Sequence, residues 1–287
     1  MKDDKKSPFR DAGTDRQATE QVPDTPQTRA PAYKLAFADE DFLCRDELRS
    51  VRLQLELLKP ELIMDERGIE STIVLFGGAR IPEPANKSSA RTKTLADLSK
   101  YYDQAREFAR VMTEKSMKSY GKEDVIVTGG GPGVMEAASR GAKDVGGQTI
   151  GINIELPFEQ KPNPFLDVWV DIKYFFVRKV LLFKYSVGFV IMPGGLGTLD
   201  ELFEAYTLVQ CDKIPQFPIV LFGTEFWKGQ IEQLKMMEAK HTISPGDHNL
   251  YLLTDSYDEA MEFLLARIHQ YAPKYKTFRK KWWLGER

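Results

Sequence analysis

The sequence predicts an α/β class: a doubly wound parallel sheet with helices on both faces, plus a helical N-terminal extension. Three observations predict it. From residue 71 onward, seven short runs rich in β-branched residues alternate with longer helical patterns. Each run is apolar at nearly every position, as a strand must be when helices cover both faces of its sheet. Glycine-rich turns follow three of the runs, at the strand ends where open α/β sheets hold their ligands.

Residues 1 to 36 are polar, rich in Asp, Thr, Gln and Pro, with almost no periodic apolar positions. Too little surface can be buried there to offset the entropy of ordering, so a flexible tail is expected. Residues 37 to 70 read as the helical extension. Leu48, Val51, Leu55 and Leu58 recur at helical spacing, Arg49, Arg52, Gln54 and Glu56 fall elsewhere, and Pro60 is expected to close the run. Such a helix more often packs on its own domain than serves a partner, and the two are compatible.

The expected strands are TIVLF, DVIVT, QTIGINI, DVWVDI, VGFVIM, PIVLF and YLLT. The helices between and after them are expected near 95–119, 133–145, 173–186, 198–211, 225–239 and 256–270. With no internal repeat and no Pro/Gly/Ser-rich linker, residues 71 to 270 read as one Rossmann-like nucleotide-binding domain. The remaining 271–287, which contain KYKTFRKKWWLGER, form a basic and aromatic tail. Its Trp282 and Trp283 suit packing on the chain's own domain or a sister subunit better than nucleic-acid binding.

Composition narrows the function. A formal net charge of −2 over 287 residues gives no bulk attraction for nucleic acid or anionic membrane, so any anion must be gripped locally. Cys44 and Cys211 lie far apart without CxxC spacing, which indicates neither a disulfide framework nor a zinc site and fits a reducing cytoplasm. His241, His248 and His269 show no ligand spacing, and no metal is expected. No apolar stretch approaches the roughly 18 residues of a membrane span, and MKDDKKSPFRD lacks a signal-peptide core. A cytoplasmic protein with no membrane contact is expected.

The three turns are FGGARIPEP at 76–84, TGGGPGVMEAA at 128–138 and PGGLGT at 193–198. Glycine there allows positive φ and lets a ligand approach main-chain amides, which at a helix start form an anion site. No GK[ST] occurs, and Val134 stands where the dinucleotide fingerprint has its last glycine. Each turn alone is weak evidence, since tight strand-to-helix turns often need glycine simply to fit. Several at neighbouring strand ends point to a cleft.

Thr198 and Glu201 have the spacing of a capping box, and spacing alone favours a helix cap. Asp200 beside Glu201 already supplies negative charge to that helix start. Two carboxylates would also repel a phosphate, so an anion site here needs cations nearby. Arg178 and Lys179 are the candidates, although a solvated helix face is the usual fate of an Arg-Lys pair.

The run RKVLLFKYSVGFVIMPGGLGTLDELFE, together with TGGGPGVMEAA, resembles the LONELY GUY family, whose signature is an Arg-Lys helix followed by Pro-Gly-Gly-x-Gly-Thr-x-x-Glu. The resemblance covers about residues 70 to 265. It implies a phosphoribohydrolase that cleaves a nucleoside 5′-monophosphate, AMP-like or a cytokinin nucleotide, into free base and ribose 5-phosphate. It also implies a homodimer or a larger homo-oligomer and no redox cofactor. The lysine decarboxylase label used for such sequences is discounted, because nothing suggests a pyridoxal phosphate site. Carried over, the essential arginine is Arg178 and the essential glutamate Glu201. The phosphate turn is Gly194, Gly195, Gly197 and Thr198, with Gly130 and Gly131 bordering the nucleotide and Lys179, Gly77 and Arg80 as further substrate contacts. Where typical members have Cys-Gly-Ser-Ser after the first strand, this chain has Gly77, Gly78, Ala79 and Arg80 followed by a long insert, as in a longer bacterial branch. A non-catalytic carrier, as in molybdenum-cofactor carriers of the same fold, is the alternative.

Overall fold

A computed structural model of the chain describes residues 10–156, 161–214 and 217–271. The basic, aromatic tail with Trp282 and Trp283 lies outside them. The chain divides into two compact units, with the division between Glu56 and Leu57.

In the first unit, where a flexible tail is expected, helix α1 (Ala12–Glu20) forms with Asp11 as its cap. The Asp11 carboxylate accepts from the Thr14 amide at 2.9 Å and the Thr14 hydroxyl at 2.8 Å, yet the helix buries none of its residues. Local capping, not core burial, accounts for this element. A single turn, α2 (Glu40–Leu43), is capped by Asp39.

Helix α3 (Arg49–Glu66) spans the division between the units and corrects two expectations. It runs through Pro60, which forgoes its helical N–H bond without ending the helix. Its apolar stripe does not face a core: Val51, Leu55 and Leu58 are 37%, 49% and 48% exposed. The buried residues are Pro60 and Met64. At about 100° per residue they lie on the opposite side of the helix from Leu55.

The second unit contains β1 (Thr72–Phe76), β2 (Val125–Thr128), β3 (Thr149–Ile154), β4 (Val168–Ile172), β5 (Ser186–Ile191), β6 (Ile219–Phe222) and β7 (Leu252–Thr254). All pairings are parallel, in the order β4-β3-β2-β1-β5-β6-β7. Between them lie α4 (Lys93–Asp97), α5 (Lys100–Ser116), α6 (Val134–Asp144), α7 (Phe175–Lys184), α8 (Leu196–Gln210) and α9 (Thr224–Ala239), and α10 (Tyr257–Tyr271) follows. One helix was expected over 95–119. The chain instead breaks at Leu98 and Ser99, whose amides bond three residues back to Leu95 and Ala96.

Side chains alternate along β1 and feed two cores. Ile73 and Leu75 join α5, α6 and α10 through Phe108, Ala138 and Leu264. Phe76 points the other way, where its ring meets Phe189 at 5.2 Å and Phe183 of α7 caps Phe189 at 4.6 Å. Helices therefore cover both faces, which is why every residue of β1, β2, β3, β5 and β6 is buried. The order of strands reverses between β1 and β5, leaving a crevice at their carboxyl ends.

Candidate functional site

All three glycine turns end strands that adjoin this reversal, since β1 pairs with both β2 and β5. They are bonded to one another. The Gly78 amide donates to Pro193 O at 2.9 Å, and the Val134 amide donates to Gly78 O at 3.3 Å. A methyl on Gly77 would sit 2.3 Å from Val134 Cγ1, and one on Gly133, at φ +70°, would sit 2.5 Å from Gly78 O. These two glycines thus serve contact between turns.

Gly130 combines φ +72° with the Trp169 ring, 2.2 Å from where its Cβ would lie. Its amide donates to Thr128 Oγ1 at 2.9 Å. Buried Asn163 then fixes the turn: its side-chain amide donates to Gly130 O and Gly131 O at 3.1 and 3.2 Å. Asn163 and Trp169 were missed by the sequence reading, because both lie outside the glycine motifs.

At the third turn the sequence expectation of a cap fails. Helix α8 begins at Leu196 with Gly195 as N-cap and no side-chain cap, so Thr198 is the third helical residue. The Thr198 amide bonds to Gly195 O at 3.0 Å, leaving nothing for Glu201 to cap. The first amides of a helix have no acceptor within it, so Gly195, Leu196 and Gly197 present free donors at the crevice. No Cβ contact lies within 4 Å at Gly195 or Gly197, whereas a methyl on Gly194 would meet Thr198 Oγ1 at 2.1 Å.

Glu201 belongs to the buried face of α8, in the row Thr198, Glu201, Leu202 and Ala205. Helical spacing carries its carboxylate inward with the leucine and alanine. Arg178 is placed in the same way: it is one turn before buried Leu182, so it points along the inner face of α7. Their side chains are 1% and 12% exposed, and Arg178 Nη1 donates to Glu201 Oε1 at 2.9 Å. Arg178 Nε donates to Ile152 O, at the end of β3, at 3.0 Å. Glu201 Oε2 is buried and has no hydrogen-bond partner among the described residues.

Burial pushes the Glu201 carboxyl up to about 6, against the pull of Arg178 and Lys179. Burial also lowers the Arg178 guanidinium from its usual range. Lys179 Nζ bonds to Asp200 at 2.9 Å and Glu204 at 2.5 Å, so the cations on α7 balance the acidic start of α8. The pair is thus not a solvated face. Arg80, by contrast, is exposed and has no bonded partner among the described residues. No group of His, Cys, Asp and Glu suited to a metal occurs among the described residues, nor any helix long and apolar enough to cross a membrane.

The helix-start amides can hold an anion, while the buried carboxylate one turn further along α8, with one oxygen fixed, can face a developing positive charge. Comparison with known proteins agrees with the motifs. The family model described as possible lysine decarboxylase matches residues 135–264. The cytokinin riboside 5′-monophosphate phosphoribohydrolase LOG of Oryza sativa subsp. japonica is 24% identical over 180 residues, covering 62% of this chain and 69% of that protein. A probable enzyme of that name from Arabidopsis thaliana is 28% identical over 204 residues, covering 68% and 96%. The Mycobacterium tuberculosis enzyme is 34% identical over 89 residues, covering 30% and 48%.

Among solved structures, TM1055 aligns with a TM-score of 0.46 at 24% identity, over 68% of this chain and 99% of its own. The molybdenum cofactor binding protein of Rippkaea orientalis aligns with a TM-score of 0.43 at 20% identity, over 68% and 94%. With the Arg-Lys pair on α7 and the Pro193 to Glu201 turn both in place, the chain is similar to members of the LONELY GUY (LOG) family.

Proposed function

We propose that this protein is a phosphoribohydrolase that cleaves the N-glycosidic bond of a nucleoside 5′-monophosphate, with AMP or a cytokinin nucleotide as substrate. The 5′-phosphate sits on the amides of Gly195, Leu196 and Gly197 at the start of α8, and Gly130 and Gly131 border the nucleoside. The single observation that carries the reading is the buried Glu201 carboxylate, whose Oε1 is held by Arg178 while Oε2 has no hydrogen-bond partner among the described residues.

As the C1′–N bond breaks, its electron pair leaves with the base and positive charge builds on C1′ and O4′. A carboxylate fixed beside the ribose stabilises that charge more than it stabilises the neutral substrate, which is what lowers a barrier. Water then bonds to C1′ and gives up a proton, and the base gains one, yielding ribose 5-phosphate. Arg178 is the positioning residue for Glu201: it holds one oxygen and aims the other. Family relatives named as phosphoribohydrolases support the reaction class. The active species is a homodimer or larger homo-oligomer, working in the cytoplasm.

The test is incubation of the full chain with AMP, GMP, CMP and a cytokinin riboside monophosphate, with chromatography for free base. Base and ribose 5-phosphate should appear in equal amounts from at least one of them. Nucleotides that bind and return intact would make the protein a carrier instead.

A further inference from the structure

Outside the Glu201–Arg178 pair, the insert after β1 builds a second concavity of about 140 Å³, lined by Arg80, Pro82, Ser89, Ala90, Arg91 and Leu95. Both arginines turn toward it, and neither has a hydrogen-bonded or ionic partner among the described residues. Elsewhere in this unit Arg106, Arg110, Arg140 and Arg178 are each engaged by a carboxylate. The acidic residue nearest Arg80 in the sequence, Glu83, is already taken by Arg140 at 2.7 Å. Between residues 80 and 100 there are five basic side chains against two acidic ones, in a chain whose formal charge is −2.

We infer that this concavity binds a phosphate group, as inorganic diphosphate or as part of a nucleotide, at a site separate from the amides of residues 195–197. Two guanidiniums offer forked donors that match phosphate oxygens, and their charge balances a group that carries about −1.5 to −2 at neutral pH. A carboxylate would leave one of them uncompensated. The Ser89 hydroxyl is turned to Asn86 O at 2.7 Å, so the arginines supply the recognition. Pro82, Ala90 and Leu95 wall the concavity and lower the dielectric around the charges. Arg80 and Pro82 belong to the first glycine turn, whose Gly78 bonds to both other turns, which puts the bound group next to the crevice.

The experiment titrates inorganic pyrophosphate, and separately ADP, into the full chain by calorimetry in the presence of excess ribose 5-phosphate. Saturable binding that survives ribose 5-phosphate is expected, weakened at least tenfold in Arg91→Ala and in Arg80→Ala and unchanged in Glu201→Gln. Competition between the two probes with ADP tighter assigns the phosphate to a nucleotide; binding of pyrophosphate alone assigns it to the inorganic ion. Arg91 is exposed and unpartnered, so its removal should leave the fold intact, which circular dichroism checks. Absence of binding, or binding indifferent to Arg91, would overturn the inference whether or not AMP is hydrolysed. The site follows from the geometry of the insert and does not depend on the reaction proposed above.

Discussion

Glu201→Gln separates a catalytic carboxylate from a structural one, and its size can be worked from the geometry. At pH 7.5 the buried acid is ionised at a cost: a rise from 4.5 to about 6 corresponds to roughly 2 kcal/mol, which the neutral amide relieves. That value already contains the pull of Arg178, so loss of the ionic partner is not a separate cost. The carboxamide oxygen can still accept from Nη1 at the 2.9 Å position. The net effect is a stability unchanged or raised by up to about 2 kcal/mol, seen as an equal or higher Tm. Turnover should nonetheless fall. Removal of one preorganised electrostatic contact costs about 100-fold to 1,000-fold in kcat. The assay is base release from saturating AMP, alongside thermal unfolding of the same samples. A variant that hydrolyses AMP at the wild-type rate, or loses rate only in proportion to its folded fraction, would refute the reasoning.

Four further outcomes follow from the same geometry. The rate of base release should rise with pH through about 6 as Glu201 ionises, and this inflection should vanish from the residual activity of Glu201→Gln, whereas one due to the substrate phosphate would persist. Stability has the opposite sign: the folded value lies above the unfolded 4.5, so the folded state binds the extra proton and urea midpoints should drop as pH rises from about 4.5 past 6. Gly197→Ala meets no atom within 4 Å and gains helix propensity, so it should stabilise the fold by about 1 kcal/mol while raising KM for AMP, because the methyl intrudes on the anion's approach. Removal of residues 1–36 should leave AMP hydrolysis unchanged, since helix α1 buries no residue of its own; a lost activity in that truncation would show that the segment does more.

The sheet was legible because strands covered on both faces are apolar throughout, a pattern no solvent-facing strand would keep. All seven runs became strands, and the glycine turns fell at the point of strand reversal. Glu201 was harder to read. Its distance from Thr198 matched a cap, Asp200 beside it weighed against a purely structural role, and the start of α8 at Leu196 removed the cap. A signal was nonetheless present: Glu201 lies in register with Leu202 and Ala205 on the inner row of its helix, where a carboxylate is costly unless it is used. Arg178 was ambiguous for the same reason, as its burial depends on how far Leu182 of the same row is packed. The failure at α3 has a different cause. Periodicity shows that a helix has an apolar stripe and not that the stripe is covered, and here Pro60 and Met64 on the other side are the buried residues. Asn163 could not have been found, because its role depends on a loop brought back to Gly130 and Gly131 only by folding.

A crystal structure of the Glu201→Gln variant with AMP tests the central claim most directly. The account predicts the 5′-phosphate on the amides of residues 195–197 and the side-chain atom replacing Oε2 within hydrogen-bonding distance of the ribose. A phosphate bound elsewhere, or a residue 201 side chain folded back onto its own helix with the ribose out of reach, would contradict it.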